Sequence, residues 1–301
     1  MVSLARSTVT FFTTMNTSEQ PLQIIYIASS WRSGSTLLDQ VLGSCPRAFG
    51  SGELKSLERF AKDDTRRDDQ GYSPQESPMW SRFATAINEY LPPTTDLHFR
   101  FSVWERLYLM MTGNAWRVPH RYQNEKLYAD VQAQAATVTN QPVQYLIDSS
   151  KPLYRVIELN ERTDLDVFVI HLVRDVRGVV YSHQKQTTKV SRVRAVWTWL
   201  LTNLGLRRYI GKHFPADKRL RVQYEDLVAD PERVLGQIQN MTGLTIDLSI
   251  LAERINTTPS YRFSGNQRRQ STFTGFFRNE QWRTELPRVW RILLAPLNWL
   301  V

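Results

Sequence analysis

The stretch from Ile24 to Leu38, IIYIASSWRSGSTLL, constrains the fold more than any other. It is a short apolar run rich in β-branched residues, then a loop of small residues, then the opening of a helix. The run has the length and composition of a buried strand. Ser33, Gly34, Ser35 and Thr36 form the bend, and Leu37, Leu38, Val41 and Leu42 recur at helical spacing until Gly43 and Pro46 stop the helix. A strand, tight loop and helix in this order aim backbone N–H groups and a helix N-terminus at one point, which suits phosphate or sulfate. The loop is not of the Walker A type, which needs Gly at position 29 and Lys at position 35; this chain has Ser29 and Ser35. Arg32 stands just before the bend and brings a cation to the same place.

Strands alternate with helices along the rest of the chain. Apolar runs predict further strands at 143–147, 167–173 and 219–223, after the first at 24–28. Periodicity predicts helices at 35–45, from beyond Pro152 to about Arg162, and at 176–187, 192–212 and 285–295. Asp230 followed by Pro231 opens another that runs to about residue 241. Residues 62–78 read as an exposed loop, 256–282 as an ordered loop, and Gly50-Ser51-Gly52 as a turn. Residues 79–137 are helical by pattern, cut by Pro92, Pro93 and Pro119. The whole predicts an α/β fold, a mostly parallel sheet flanked by helices on both faces. One domain is expected over 21–301, with a helical insertion at 60–140 and a flexible tail over 1–20. Ligands of such sheets bind beyond the carboxyl ends of the strands. The first predicted strand ends at the small-residue loop, the second at Lys151 and the third at Arg174, so one edge gathers three anion-binding groups.

With 301 residues the chain can bury a large core, and its 42% apolar and 22% charged residues are those of a soluble globular protein. The net charge of +9 is spread along the chain. It fits an anionic ligand, a nucleic acid or an acidic membrane. No zinc pattern or RNA-binding signature supports nucleic acid. No run of about 18 apolar residues predicts a transmembrane helix, and peripheral membrane contact stays open. Cys45, the single cysteine, excludes an internal disulfide and a cysteine-rich metal site and reads as a buried structural thiol. It suits a reducing compartment, so a cytoplasmic location is expected. Residues 1–20 are Ser/Thr-rich, with no acid before Glu19. They lack the apolar stretch of a secretory signal and read as a tail, or as a segment upstream of a start at Met15.

Four segments, in order, resemble the sulfotransferases that use 3′-phosphoadenosine 5′-phosphosulfate (PAPS). Trp31 to Thr36, WRSGST, resembles the family's 5′-phosphosulfate loop, in the form found in carbohydrate and tyrosine-protein sulfotransferases. Val169 to Gln186, VIHLVRDVRGVVYSHQKQ, resembles its 3′-phosphate segment, with Arg174 at a strand end and Ser182 eight residues on. Tyr224 to Leu235, YEDLVADPERVL, matches a further family segment. Ser264 to Arg269, SGNQRR, resembles the SGNPMR loop of bacterial members, with Gln267 and Arg268 in place of its Pro and Met. The resemblance runs from 24 to about 285 and matches nothing in 60–140. It implies a P-loop-type fold and transfer of a sulfuryl group from PAPS to a hydroxyl acceptor, a carbohydrate or another hydroxyl-bearing biomolecule, with 3′,5′-ADP as product.

That chemistry gives the residues their roles. PAPS carries two separated anionic groups. Arg32, Ser33, Gly34, Ser35 and Thr36 suit the 5′-phosphosulfate. Arg174, as a planar donor fork, and Ser182 suit the 3′-phosphate. Tyr224 and Arg269 belong to the cofactor site by resemblance. In the transfer, charge grows on the bridging oxygen of the leaving group, so a fixed cation there counts for more in the transition state. Arg32 and Lys151 are the candidates. Lys151 resembles the lysine after the second strand in tyrosine-protein sulfotransferases, and its plain alternative is a solvated turn residue. Glu53 resembles the general base of the GE motif that follows the first helix in that group; its alternative is an ordinary acid at a helix N-terminus. His183 is the next base candidate, with His98 and His120 behind it, whereas His171 reads as a core residue. The aromatic stretch 79–122 reads as a packing face or as a platform for a sugar or an apolar chain. No metal is implied. The alternatives are a P-loop small-molecule kinase, with Asp148 as its acidic residue but without the loop lysine, and a binding module for anions or glycans. The module explains the charge and leaves Arg32, Glu53 and Lys151 without roles.

Overall fold

A computed structural model describes residues 21–93, 99, 101–186, 191–264, 272–278 and 280–301. The first half holds β1 (Gln23–Ser29), α1 (Ser35–Gly43), β2 (Ala48–Gly52), α2 (Leu57–Ala61), α3 (Ser81–Thr85), α4 (Val103–Thr112), α5 (Asn124–Thr139) and β3 (Tyr145–Lys151). The second half holds α6 (Leu153–Arg162), β4 (Asp166–Val173), α7 (Val176–Gln186), α8 (Arg192–His213), β5 (Arg219–Gln223), α9 (Tyr224–Ala229), α10 (Pro231–Thr242), α11 (Leu248–Thr257), α12 (Trp282–Glu285) and α13 (Arg288–Leu294). The strands form one parallel sheet in the order β2-β3-β1-β4-β5. This is the expected α/β fold.

β1 runs down the middle and is buried on both faces, which is why its sequence is continuously apolar. Ile24, Tyr26 and Ala28 face one core with Trp80, Phe83 and Tyr128; Ile25 and Ile27 face another with Leu38, Val222 and Ile238. The aromatic stretch divides between its two readings. Trp80, Phe83, Tyr90 and Tyr122 are buried against the sheet, whereas Trp104, Tyr108 and Trp116 are exposed. Among the described residues no helix is long and apolar enough to cross a membrane.

Three local expectations are corrected. Gly50-Ser51-Gly52 is not a turn but part of the edge strand β2, paired with β3. Its small residues hide the strand pattern, and the Ser51 hydroxyl donates to the Ile147 carbonyl at 2.7 Å. The second predicted strand, expected at 143–147, lies later, over Tyr145–Lys151, so Lys151 is its last residue and is buried. Helix α11 reaches into the start of the segment read as a loop at 256–282.

Register explains how the strand ends converge. Ala28 pairs with Lys151 on one side of β1, and Ser29 pairs with Leu172 on the other, so Lys151 and Arg174 flank the loop that leaves β1. Both neighbours on the β2 side slip. Between Tyr26 and Ala28 of β1, β3 fits one extra residue; between Gly50 and Gly52, β2 fits one extra residue against β3. Such bulges re-aim a strand's side chains. Here they direct the residues that follow toward the sheet's carboxyl edge.

His171, in the middle of β4, is the core residue expected. Its Nε2 lies 3.1 Å from Asn203 Oδ1, and burial pulls its pKa down to about 4. The unfolded chain takes up that proton near pH 6.5, so acidification favours unfolding between those values. Burial pushes Asp39 the other way, up to about 6, so its contribution grows as pH falls. We expect His171→Gln to remove the first effect and keep the second. Any deficit of the variant at pH 7, measured by urea denaturation, should shrink by about 3 kcal/mol by pH 4. A difference that stays constant with pH would show that His171 takes its proton in the folded state.

Candidate active site

The loop after β1 is closed on itself. The hydroxyls of Ser30 and Ser33 lie 2.8 Å apart, and both residues are buried. Arg32 and Gly34 take left-handed backbone conformations, with φ of 68° and 92°. Helix α1 then starts at Ser35, with the Leu37 and Leu38 amides bonded to the Gly34 carbonyl at 3.0 and 3.2 Å. Gly34 is the N-cap and supplies no side-chain cap, so the first-turn amides face the loop's mouth. Only glycine fits there: a Cβ at Gly34 would run into the ring of Tyr224.

Arg174 stands on the far side of that loop. Its Nη1 donates to the Arg32 carbonyl at 3.1 Å, and its guanidinium lies 4.6 Å over the Tyr224 ring. The indole of Trp199 donates to the Arg174 carbonyl at 2.9 Å. Gly178, one turn into α7, leaves room for the guanidinium, since a Cβ there would sit 3.1 Å from Arg174 Nε. Arg32 reaches back across the gap and donates from Nε to Ser182 Oγ at 2.9 Å. Thus the loop at 31–36 and the segment at 169–186, far apart in sequence, meet at Arg32.

The third group sits at the ends of β2 and β3. Lys151 Nζ donates to Glu53 Oε1, and Lys55 Nζ lies 3.1 Å from Glu53 Oε2. All three side chains are at least 85% buried. Burial pushes the Glu53 carboxyl up, but Lys151 and Lys55 outweigh it and hold it down at about 2. Burial lowers the Lys151 pKa despite Glu53. Lys151 has a left-handed backbone, φ 80°, which follows from the bulge. The Lys55 amide donates to Ser150 Oγ at 3.0 Å, and Ser150 in turn bonds to Asp148.

The sulfotransferase family profile matches residues 24–247. The chain belongs to the sulfotransferase family. Two solved structures share its fold. The sulfotransferase domain of the Synechococcus PCC 7002 olefin synthase is 24% identical, covering 92% of this chain and 94% of that one, with a TM-score of 0.53. The sulfotransferase domain from the curacin biosynthetic pathway is 20% identical, covering 84% and 83%, with a TM-score of 0.51. No curated protein matches the sequence.

In this sulfotransferase the sequence-predicted residues line one cleft of about 1620 Å³. Arg32, Gly34, Ser35, Thr36, Glu53, Lys151, Arg174, Ser182 and Tyr224 all face it. Ser33 does not, because its side chain is spent on Ser30. Arg269 and His98 lie outside the described residues. His183 lines the cleft, and burial, then Arg32, lower its pKa. Asp148, the acid of the kinase reading, is turned into the core instead, bonded to Tyr128 OH at 2.6 Å and 4.0 Å from Arg155. Lys55, Arg106 and Arg121 also line the cleft and carried no sequence signal. The Lys55 position follows Glu53 by two residues, which is the one clue the sequence offered.

The Gly34 contact yields a test. Gly34→Ala adds a left-handed backbone penalty of about 1–2 kcal/mol and drives the new methyl into Tyr224. We expect reduced thermal stability and weakened binding of 3′,5′-ADP. Tyr224→Ala in the same chain should restore the stability in part, because it removes the clash and leaves the backbone penalty.

Proposed function

We propose that this sulfotransferase moves the sulfuryl group of PAPS to the hydroxyl of a carbohydrate or another hydroxyl-bearing biomolecule, and releases 3′,5′-ADP. The observation that carries this reading is the meeting at Arg32 of two separate anion-binding positions, the α1 N-terminus and Arg174. A ligand with one phosphate chain needs the first alone. A nucleotide with both a 5′-phosphosulfate and a 3′-phosphate needs both.

In this reading the amides and hydroxyls of Ser35 and Thr36, with Arg32, hold the 5′-phosphosulfate. Arg174 and Ser182 hold the 3′-phosphate, and Tyr224 supports Arg174 from below. Arg269 is assigned to the donor by family resemblance alone. Lys151 meets the bridging oxygen, where negative charge grows as the S–O bond to the phosphate breaks. The acceptor oxygen forms the new S–O bond, and its proton passes to Glu53. A carboxylate held near 2 is a feeble base, so the two roles are linked. When Lys151 turns to the donor's bridging oxygen, Glu53 keeps only Lys55, and burial raises its pKa toward the useful range. One cation thus serves the base and the leaving group in turn. The helical region at 60–140 shapes the acceptor side. The reaction needs no divalent metal, and we assign it to the cytoplasm, consistent with the single thiol, Cys45, which burial pushes up to about 12.

Nucleotide selectivity tests the donor. By calorimetry, 3′,5′-ADP should bind much more tightly than 5′-ADP or ATP, and Arg174→Ala should cost about 1.5–3 kcal/mol of that affinity. Equal affinity for ATP, with phosphate transfer that stops in EDTA, would move the enzyme to the kinases.

The shared lysine makes a second prediction, in pH. The rate falls as acid protonates the base, and kcat/KM reads the free enzyme while kcat reads the loaded one. The acid limb of kcat should therefore lie at higher pH than that of kcat/KM. Glu53→Gln should lower kcat by about 10²–10⁴ and abolish that limb, with 3′,5′-ADP still bound. Lys151→Ala should lower kcat on a similar scale and also weaken PAPS binding. Near-normal turnover in Glu53→Gln would pass the base role to His183.

A further inference from the structure

The described residues that line the cleft include nine lysines and arginines and one carboxylate, Glu53. The donor, as assigned above, uses Arg32, Lys151 and Arg174. A second group of cations lies beyond them, toward α4 and the segment before α5. Its most telling member is Arg106, on α4. It is half-buried, and burial lowers its pKa with no opposing charge at work. Among the described residues no carboxylate lies within 4 Å of it. The acids nearby are committed elsewhere. Glu105 accepts from Arg117 at 2.5 and 3.2 Å and from the Ser102 amide at 2.7 Å. Glu158 accepts from Arg155 at 2.7 Å and from the amides of Arg121 and Tyr122.

This second group is joined to the reacting centre by a wall of rings. Tyr154 follows Lys151 by three residues and lines the cleft. Phe99 packs on Tyr154 at 6.0 Å, and Arg117, tied to Glu105 of α4, lies 4.9 Å over Phe99. Arg121 lines the cleft at the same wall, close enough to Tyr154 for each to act on the other's charge. A half-buried guanidinium with no carboxylate on it keeps its charge for a ligand's anion. Guanidinium forks match carboxylate, phosphate and sulfate groups in shape as well as charge.

We propose that the acceptor of this enzyme carries an anionic group of its own, a carboxylate, phosphate or sulfate, which Arg106 binds. This rests on the PAPS reading of the donor side and narrows the acceptor class. The anion anchors the acceptor at α4, and the aromatic wall between Arg106 and Lys151 spaces its hydroxyl toward Glu53.

The test first saturates the full-length protein with 3′,5′-ADP, so that the donor side is filled. Failure to bind 3′,5′-ADP at this stage counts against the donor reading, not against the acceptor site. Citrate is then titrated at constant ionic strength and followed by tryptophan fluorescence. We expect saturable binding that weakens at least tenfold in Arg106→Gln, partly recovers in Arg106→Lys, and is unchanged in Arg208→Gln on the outer surface. Affinity for 3′,5′-ADP should be the same in all four proteins, which shows that each is folded. A second arm compares matched acceptors with labelled PAPS: glucuronate against glucose, and 4-hydroxyphenylacetate against its methyl ester. The anionic member should be favoured at least tenfold in kcat/KM, and Arg106→Gln should erase that preference through KM. No citrate binding beside 3′,5′-ADP, a preference for the neutral acceptors, or an anionic preference that survives Arg106→Gln would overturn the proposal.

Discussion

Glu53 and Lys151 neutralise each other at the ends of two bulged strands, and the geometry of the cleft depends on that pair. A buried charge stripped of its partner costs several kcal/mol, so neither side chain can sit where it does alone. Regular strands would not have delivered them. In an unbroken strand, successive residues alternate between faces, and a shift of one residue reverses the set. The extra residue in β3 sets Asp148 beside Tyr26 and Lys151 beside Ala28, two residues of β1 on one face, so Lys151 shares the face of Asp148 where an unbroken strand would have turned it to the other. The matching slip in β2 brings Glu53 to meet it. Lys55 then holds the second carboxylate oxygen, so that Glu53 has a second countercharge besides Lys151.

Arg32 has the corresponding position on the other side of β1. Its carbonyl accepts from Arg174 and its guanidinium donates to Ser182, so one residue touches both anion-binding segments. Its left-handed backbone is an uncommon conformation for a side chain of this size, and is held by the loop's own closure through Ser30 and Ser33. The consequence is mechanical. A ligand that pulls on Arg32 also moves the acceptor atom of the Arg174 hydrogen bond, and the reverse holds for a ligand on Arg174. On the donor reading proposed above, the two ends of one nucleotide would meet a connected structure rather than two independent pockets.

How much of this was legible depended on whether a feature was local. The run at 24–28, the bend at 33–36 and the strand at 167–173 are each carried by a continuous pattern, and each lies where the sequence put it. So do Arg174 and Ser182, because a strand end and two turns of one helix fix their relation. The edge strand β2 was hidden, since AFGSG has the composition of a turn and becomes a strand only by pairing with β3. The two bulges were hidden for the same reason: register is a property of two strands, not of one. The exchange between Arg32 and Ser182 spans 150 residues and has no local trace. No motif in the sequence marks Arg106 or Arg121. What distinguishes Arg106 is the prior commitment of Glu105 to Arg117, and that too is a tertiary fact.

The donor side shows why carboxylates are so scarce in this cleft. Arg174 is held by a carbonyl and an aromatic face, Arg32 by a hydroxyl, and Lys185 by the Gln281 amide oxygen at 3.1 Å. Carbonyls, hydroxyls and rings orient a cation without cancelling its charge. A carboxylate in the same place would orient it equally well and would also compete with phosphate for it. Arg174 and Lys185 are thus fixed by neutral groups. On the mechanism proposed above, the one carboxylate at the reacting centre, Glu53, takes the acceptor proton, and the lysine that mutes it is the one the leaving group claims. On that reading the cleft offers sulfuryl transfer charge that is positioned but not cancelled, and a base whose strength depends on where one lysine points.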